Sequence, residues 1–181
     1  TVILVPGFHS DLHEWGYFDE IAKVLVENGY FVIRFSFSGY GKSDGDVYDI
    51  TLTRQINELK KVINYVIGLK GIDIEKVGLL AQSFGVATTI ASFPINVQSI
   101  VFTSGSYCPY KTMPDLFKDL GTFDLEGDSY FNADYDSVRI GPQFWNDLKR
   151  YDLDRFMGLN ETPVLFLHGK KDHIPWKFAV N

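Results

Sequence analysis

A serine stands at the centre of residues 79–87, where an apolar stretch is followed by Gln82-Ser83-Phe84-Gly85. Small residues, Ala81 and Gly85, stand two positions on either side of Ser83, and they allow a strand to turn sharply into a helix. The usual form of this turn has glycine where this chain has Ala81. The turn exposes the serine hydroxyl beside the positive end of the helix. Ser83 is therefore a candidate nucleophile, although a serine that N-caps an ordinary helix is the alternative.

Two other segments could supply the remaining groups that acyl transfer requires. Pro6-Gly7-Phe8 follows the first apolar run, and a glycine there would let the amides of Phe8 and Phe84 face an oxyanion. Asp172 follows another apolar run, where its carboxylate could orient a histidine and stabilise the imidazolium. The ordinary alternatives are a plain strand-ending turn at Gly7 and a solvated turn aspartate at Asp172.

Strand-like and helical stretches alternate through most of the chain. Short apolar runs predict strands at residues 1–5, 30–35, 77–81, 99–103 and 164–168. Apolar spacing predicts helices over about 14–28, 51–69 and 83–92, and Asp11 and Glu14 have the spacing of a capping box for the first. This order predicts the α/β class, with a mostly parallel sheet and helices on both faces. Ligands of such sheets bind at the carboxyl ends of the strands, where Ser83 and Asp172 would lie.

Residues 106–158 break the alternation. They hold 11 of the 28 aromatic residues of the chain, together with many acidic residues. Long insertions in compact domains are often lids over active sites. We therefore predict an inserted cap at residues 106–158 on a core formed by residues 1–105 and 159–181. A longer helical crossover with a surface loop is the alternative.

The three site segments, together with the loop from Arg34 to Gly45, resemble the α/β-hydrolase superfamily. The closest resemblance is to cinnamoyl/feruloyl esterase-like and serine aminopeptidase-like members, which carry a small inserted cap. The resemblance implies that Ser83 is the nucleophile and Asp172 the triad acid, with the backbone amides of Phe8 and Phe84 as the oxyanion hole. It implies no cofactor and no metal.

The chain departs from the family pattern at the catalytic histidine. In the family this residue follows the acid, after one more helix and strand, and none of the four histidines suits the role; these are His9, His13, His168 and His173. Pro6 also stands where many members have histidine, which matters little because the adjacent backbone supplies the donor. We therefore expect the catalytic histidine beyond residue 181 and the first strands of the family before residue 1.

The resemblance implies a serine hydrolase that cleaves a carboxylic ester of a small molecule through an acyl-enzyme. A thioesterase or acyltransferase acting on acyl thioesters is an alternative, because only the acceptor that deacylates Ser83 differs. A non-catalytic binding protein of the same fold is another alternative, motivated by the missing histidine. The aromatic residues of segment 106–158 favour an apolar or aromatic acyl group.

Composition excludes several other classes. The net charge of -6 disfavours nucleic acid as a partner, and no apolar run is long enough to span a membrane. A single cysteine favours a reducing compartment, and we expect a cytoplasmic protein. The loop at 36–46 resembles nucleotide-binding patterns, but it has Ser36 in place of the first P-loop glycine and Asp44 in place of the third dinucleotide glycine. His9, Asp11 and His13 lack the further ligands of a metal site.

Overall fold

The computed structural model describes residues 1–133 and 136–179. Residues 134–135, inside the segment predicted as a cap, and 180–181, at the end of the predicted core, lie outside the described residues. The strands are β1 Val2–Val5, β2 Val32–Arg34, β3 Gly78–Gln82, β4 Ser99–Thr103, β5 Gly121–Thr122, β6 Ser129–Ala133, β7 Asp136–Ile140 and β8 Val164–Leu167. The helices are α1 Tyr17–Glu27, α2 Leu52–Ile67, α3 Phe84–Ala91, α4 Pro109–Leu120, α5 Pro142–Leu148 and α6 Leu153–Met157.

Five strands form the main sheet, in the order β2-β1-β3-β4-β8, and all of the pairs are parallel. The connections run through helices, as parallel neighbours require. The predicted mostly parallel sheet flanked by helices is therefore confirmed. Because the strands are parallel, their carboxyl ends meet at one edge, where Val5 aligns with Ala81 and Gln82 with Thr103.

Helix α2 shows how the sequence pattern produces these elements. The Thr51 hydroxyl accepts a hydrogen bond from the Arg54 amide at 3.1 Å and so caps the helix, as a threonine before an amphipathic stretch predicts. The apolar side chains recur every three or four residues and are buried in the hydrophobic core; they are Leu52, Ile56, Leu59, Ile63 and Val66. Burial of this stripe supplies most of the helix's stability, since its propensity alone would not.

Residues 106–158 contain α4, the antiparallel sheet β5-β6-β7, α5 and α6. Aromatic side chains pack at the centre of this segment, with the Phe117 and Phe144 rings 5.1 and 5.0 Å from the Trp145 ring. The Asp147 carboxylate joins the segment to α2, because it accepts hydrogen bonds from the Thr53 amide at 2.8 Å and the Thr53 hydroxyl at 2.6 Å.

The predicted start of the first helix was wrong. The first helix begins at Tyr17 rather than Glu14, because Glu14, Trp15 and Gly16 all have left-handed backbone conformations. Strand β8 lies at the edge of the sheet formed by the described strands. Its side chains at 165–167 are 39–54% exposed, because β8 pairs with a neighbour on one side alone among the described strands.

Candidate active site

Ser83 lies between β3 and α3 in a strained backbone conformation, with φ 52° and ψ -119°. Non-glycine residues rarely adopt this region, which costs about 1–3 kcal/mol and persists where the surroundings impose it. The surroundings here are backbone hydrogen bonds: the Ser83 amide donates to the Thr103 carbonyl at 3.1 Å, and its carbonyl accepts from the Ser106 amide at 3.0 Å. The Ser83 hydroxyl does not cap α3. The strain therefore does not arise from ordinary helix capping.

The small residues beside Ser83 have a steric reason to be small. A Cβ atom on Gly85 would lie 2.5 Å from the Pro6 carbonyl oxygen and 2.6 Å from that of Val5. Ala81, on the other side of the turn, is fully buried between Val5 and Phe102 of the neighbouring strands. Helix α3 can therefore approach the end of β1 closely.

This close approach brings the loop after β1 to the serine. A Cβ atom on Gly7 would lie 3.0 Å from the Ser83 Cβ, so only glycine fits there without displacement of the serine. The next residue, Phe8, places its ring 6.1 Å from the Phe84 ring. Phe84 opens α3, where the first amides have no acceptor within the helix. The structure thus gathers Ser83, Phe8 and Phe84, which the sequence singled out separately.

The Phe8 ring also contacts segment 106–158. Its ring neighbours lie at centroid distances of 5.6–6.4 Å, and they are Tyr40, Phe84, Phe117, Phe131 and Phe144. Three of these five belong to α4, β6 and α5. The loop that carries the Phe8 amide is therefore packed between the core and segment 106–158.

Asp172 lies in the loop after β8, which is two strands from β3 at the same edge of the sheet. Its carboxylate accepts from the Ile174 amide at 3.0 Å, and its amide donates to the Gly169 carbonyl at 3.2 Å. In the part of the chain that the structure describes, these hydrogen bonds stay within the loop and do not reach Ser83. The structure does not bring Asp172 into contact with the other site residues.

The four histidines occupy four different surroundings. His9 follows Phe8, and its ring lies 5.8 Å from the Phe131 ring. His13 contacts the Asp19 carboxylate at 2.9 Å, and the ring of His168 lies 2.7 Å from the Ile174 carbonyl. His173 is exposed. A cavity of about 400 Å³ adjoins His9, and its lining includes Trp15, Tyr40 and Val138.

Sequence reasoning missed Glu14, which it placed in a capping box with Asp11. The structure instead buries the side chain, with 7% exposed, and its Oε2 accepts a hydrogen bond from the Gly7 amide at 2.8 Å. Burial raises the pKa of Glu14 from its ordinary value of 4.5 to about 7, the Gly7 amide and Ser10 hydroxyl lower it, and the charge of Asp11 raises it. The signal available in the sequence was Gly16, two residues later, which favours a turn over a helix start.

Within residues 1–133 and 136–179, no group of three or more His, Cys, Asp or Glu side chains could hold a metal ion. No described helix has both the length and the apolar character needed to cross a membrane.

A sequence model described as the alpha/beta hydrolase fold matches residues 1–139. An uncharacterised protein of Salmonella typhi, YfhR, is 27% identical over 184 residues, and the match covers 98% of this chain and 56% of YfhR. The mitochondrial palmitoyl-protein thioesterase ABHD10 of Mus musculus is 24% identical over 203 residues, covering 97% of this chain and 60% of that protein. This chain thus spans little more than half the length of these curated relatives.

A solved structure extends the likeness to the fold. Est1E from Butyrivibrio proteoclasticus, determined with ferulic acid bound, matches with a TM-score of 0.82 and 20% sequence identity. The match covers 99% of this chain and 72% of the Est1E chain. At this identity, the similarity concerns the path of the backbone.

Proposed function

The chain belongs to the α/β hydrolase fold family, and from that premise we propose that it is a serine hydrolase that cleaves carboxylic esters through an acyl-enzyme on Ser83. One observation carries the proposal: the strained Ser83 turn lies directly against the glycine of the Gly7-Phe8 loop. A strained residue held by its surroundings is typical of functional sites. The esterase and thioesterase relatives also support a hydrolase.

In the proposed reaction, the Ser83 hydroxyl oxygen attacks the ester carbonyl carbon and passes its proton to a histidine. The amides of Phe8 and Phe84 donate hydrogen bonds to the tetrahedral oxyanion, whose collapse expels the alcohol with the proton from the histidine. Water then attacks the acyl-enzyme, releases the carboxylic acid and restores Ser83. Asp172 is proposed to orient the histidine and to stabilise its charged form.

Residues 106–158 are proposed to form a cap over the carboxyl edge of the sheet, on the core of residues 1–105 and 159–181. This is supported by the rings of Phe117, Phe131 and Phe144 packed against Phe8 in the proposed oxyanion loop. A binding site lined by apolar and aromatic side chains favours an apolar or aromatic acyl group in the substrate. The ferulic acid bound to Est1E is a group of this kind, and we propose aryl esters as the first substrates to test.

A thioesterase is the second candidate, and the named activity of the mouse relative favours it. The two candidates share the acyl-enzyme and differ in the leaving group. Methyl ferulate, p-nitrophenyl butyrate and palmitoyl-coenzyme A, offered to the full-length protein, separate them. We expect a higher kcat/KM for the two oxygen esters, whereas a marked preference for the thioester would establish the second candidate in place of the first.

The role of Ser83 is tested in the same assay. Ser83→Ala is expected to lower kcat by at least about 10⁴-fold, because the nucleophile and its base act as a unit. The matched control is Ser99→Ala, at the exposed start of β4, which should keep wild-type activity. Unchanged turnover in Ser83→Ala would contradict the proposed nucleophile.

A further inference from the structure

Glu14 is a buried acid that the proposed reaction does not use. Its side chain is 7% exposed, and its Oε2 accepts a hydrogen bond from the Gly7 amide at 2.8 Å. Ionised carboxylates are seldom buried unless a partner compensates for the lost hydration. The partner here is the backbone of the proposed oxyanion loop, which indicates a role in that loop.

The backbone around Glu14 is arranged to make this contact. Glu14, Trp15 and Gly16 have φ angles of 45°, 57° and 89°, three left-handed residues in succession. The first two carry side chains, for which this conformation is unfavourable. A helix beginning at Glu14 would direct its side chain differently, as the wrong prediction of a capping box illustrates. The strained turn therefore directs the carboxylate inward.

The carboxylate and the serine both lie close to Gly7, near the position that a side chain would occupy there. A Cβ atom on Gly7 would be 3.2 Å from Glu14 Oε1 and 3.0 Å from the Ser83 Cβ. The hydrogen bond to the Gly7 amide fixes the plane of the Pro6–Gly7 peptide. The next amide along the chain is that of Phe8, whose direction depends on this plane and on the two dihedral angles of Gly7. Glycine restricts those angles least, so the loop needs an external restraint.

We propose that Glu14 is a positioning residue for catalysis, which holds the Gly7 peptide so that the Phe8 amide points at the oxyanion. The inference rests on the proposed serine hydrolase function. Glu14 does not touch the reacting atoms in this account. Its contribution is to preorganise a donor, and preorganised donors matter most in the transition state.

The test is a set of variants of the full-length protein: Glu14→Gln, Glu14→Ala and Glu14→Asp. Glutamine keeps an acceptor oxygen at the same distance from the backbone, and alanine removes the acceptor. Aspartate keeps a carboxylate on a side chain that is one methylene shorter. The matched control is Glu20→Ala, an exposed acid on α1. For each variant, kcat and KM are measured with p-nitrophenyl butyrate, and the fraction of competent sites is titrated with a fluorophosphonate.

We expect Glu14→Ala and Glu14→Asp to lower kcat per titrated site by about 10- to 100-fold, somewhat less than the loss of a whole oxyanion donor. KM should change by less than about threefold, since the oxyanion forms after substrate binds. Glu14→Gln should keep kcat within about threefold of wild type, because it retains the acceptor.

Several outcomes would overturn the inference. One is a Glu14→Ala variant whose kcat per titrated site equals that of wild type. Any loss of activity would then reflect fewer competent sites, which is the result that a purely structural role predicts. A second is an equal loss of kcat in Glu14→Gln and Glu14→Asp. This comparison can be made even if Glu14→Ala does not fold. A wild-type protein that neither turns over nor reacts with the phosphonate would instead refute the hydrolase function itself, and the inference with it.

Discussion

Glu14 titrates in a range where most carboxyl groups are already ionised. Burial raises its pKa to about 7 in the folded chain, against an ordinary value of 4.5. Between these values the folded chain holds a proton that the unfolded chain has released. The free energy of unfolding therefore falls as the pH rises from 4.5 to 7, and the shift corresponds to about 3 kcal/mol.

Glu14→Gln is expected to remove this pH dependence, because an amide does not titrate. At pH 8 the variant should be more stable than wild type, and the difference should shrink and vanish towards pH 4. Urea unfolding of both proteins, at steps of one pH unit from pH 4 to pH 8, measures this difference in the free energy of unfolding. Glu20→Gln, the exposed control, should keep the wild-type slope. The same slope in Glu14→Gln as in wild type would show that Glu14 is not the titrating group.

The site residues differed in how far the sequence could predict them. The tight turns after β1 and β3 could be predicted, because small residues at strand ends indicate them from local sequence. The roles of Ser83, Phe8 and Phe84 at these turns stay predictions. Glu14 was missed because its partner, the Gly7 amide, lies seven residues away in a loop. Its spacing from Asp11 fits a capping box, and only the folded chain shows which contact forms.

Helix α3 contains a glycine at a position where alanine would normally stabilise a helix by about 1 kcal/mol. At Gly85 alanine should instead lower the stability of the protein, because the added Cβ would lie 2.5 Å from the Pro6 carbonyl oxygen. We expect Gly85→Ala to destabilise the protein by about 1–3 kcal/mol or more, as overpacking does. Thermal denaturation should show a midpoint lower by several degrees, at about 2–4 °C per kcal/mol for a chain of this size.

The matched control is Gly68→Ala at the end of α2. There the backbone is right-handed and the nearest atom to an added Cβ is 3.4 Å away, so alanine fits. Its stability should stay within about 1 kcal/mol of wild type. Equal stability of both alanine variants would contradict the close approach of α3 to β1.

At the scale of elements, apolar periodicity predicted the five parallel strands and three core helices to within a few residues. The continuous apolar run of β3 and the single apolar stripe of α2 are local patterns that the sequence shows directly. The elements of segment 106–158 were not predicted one by one, since its strands are short and pair antiparallel with one another.

At the scale of the whole molecule, one buried acid joins segment 106–158 to the core. Asp147 is 7% exposed and accepts two hydrogen bonds from Thr53 at the start of α2. Asp147→Ala would leave the partly buried Thr53 amide without this acceptor, and we expect a cost of about 1–3 kcal/mol. We expect that loss in urea unfolding, and near wild-type stability for the exposed control Asp154→Ala. A loss of equal size in both variants would contradict this role for Asp147.

The central claim is that Ser83 is an activated nucleophile beside an oxyanion hole. The most direct measurement is intact mass spectrometry of the full-length protein after incubation with a fluorophosphonate, followed by peptide mapping. We predict one covalent adduct on wild type and on Ser99→Ala, located on Ser83, and none on Ser83→Ala. An adduct that persists in Ser83→Ala, or that maps to another residue, would contradict the account.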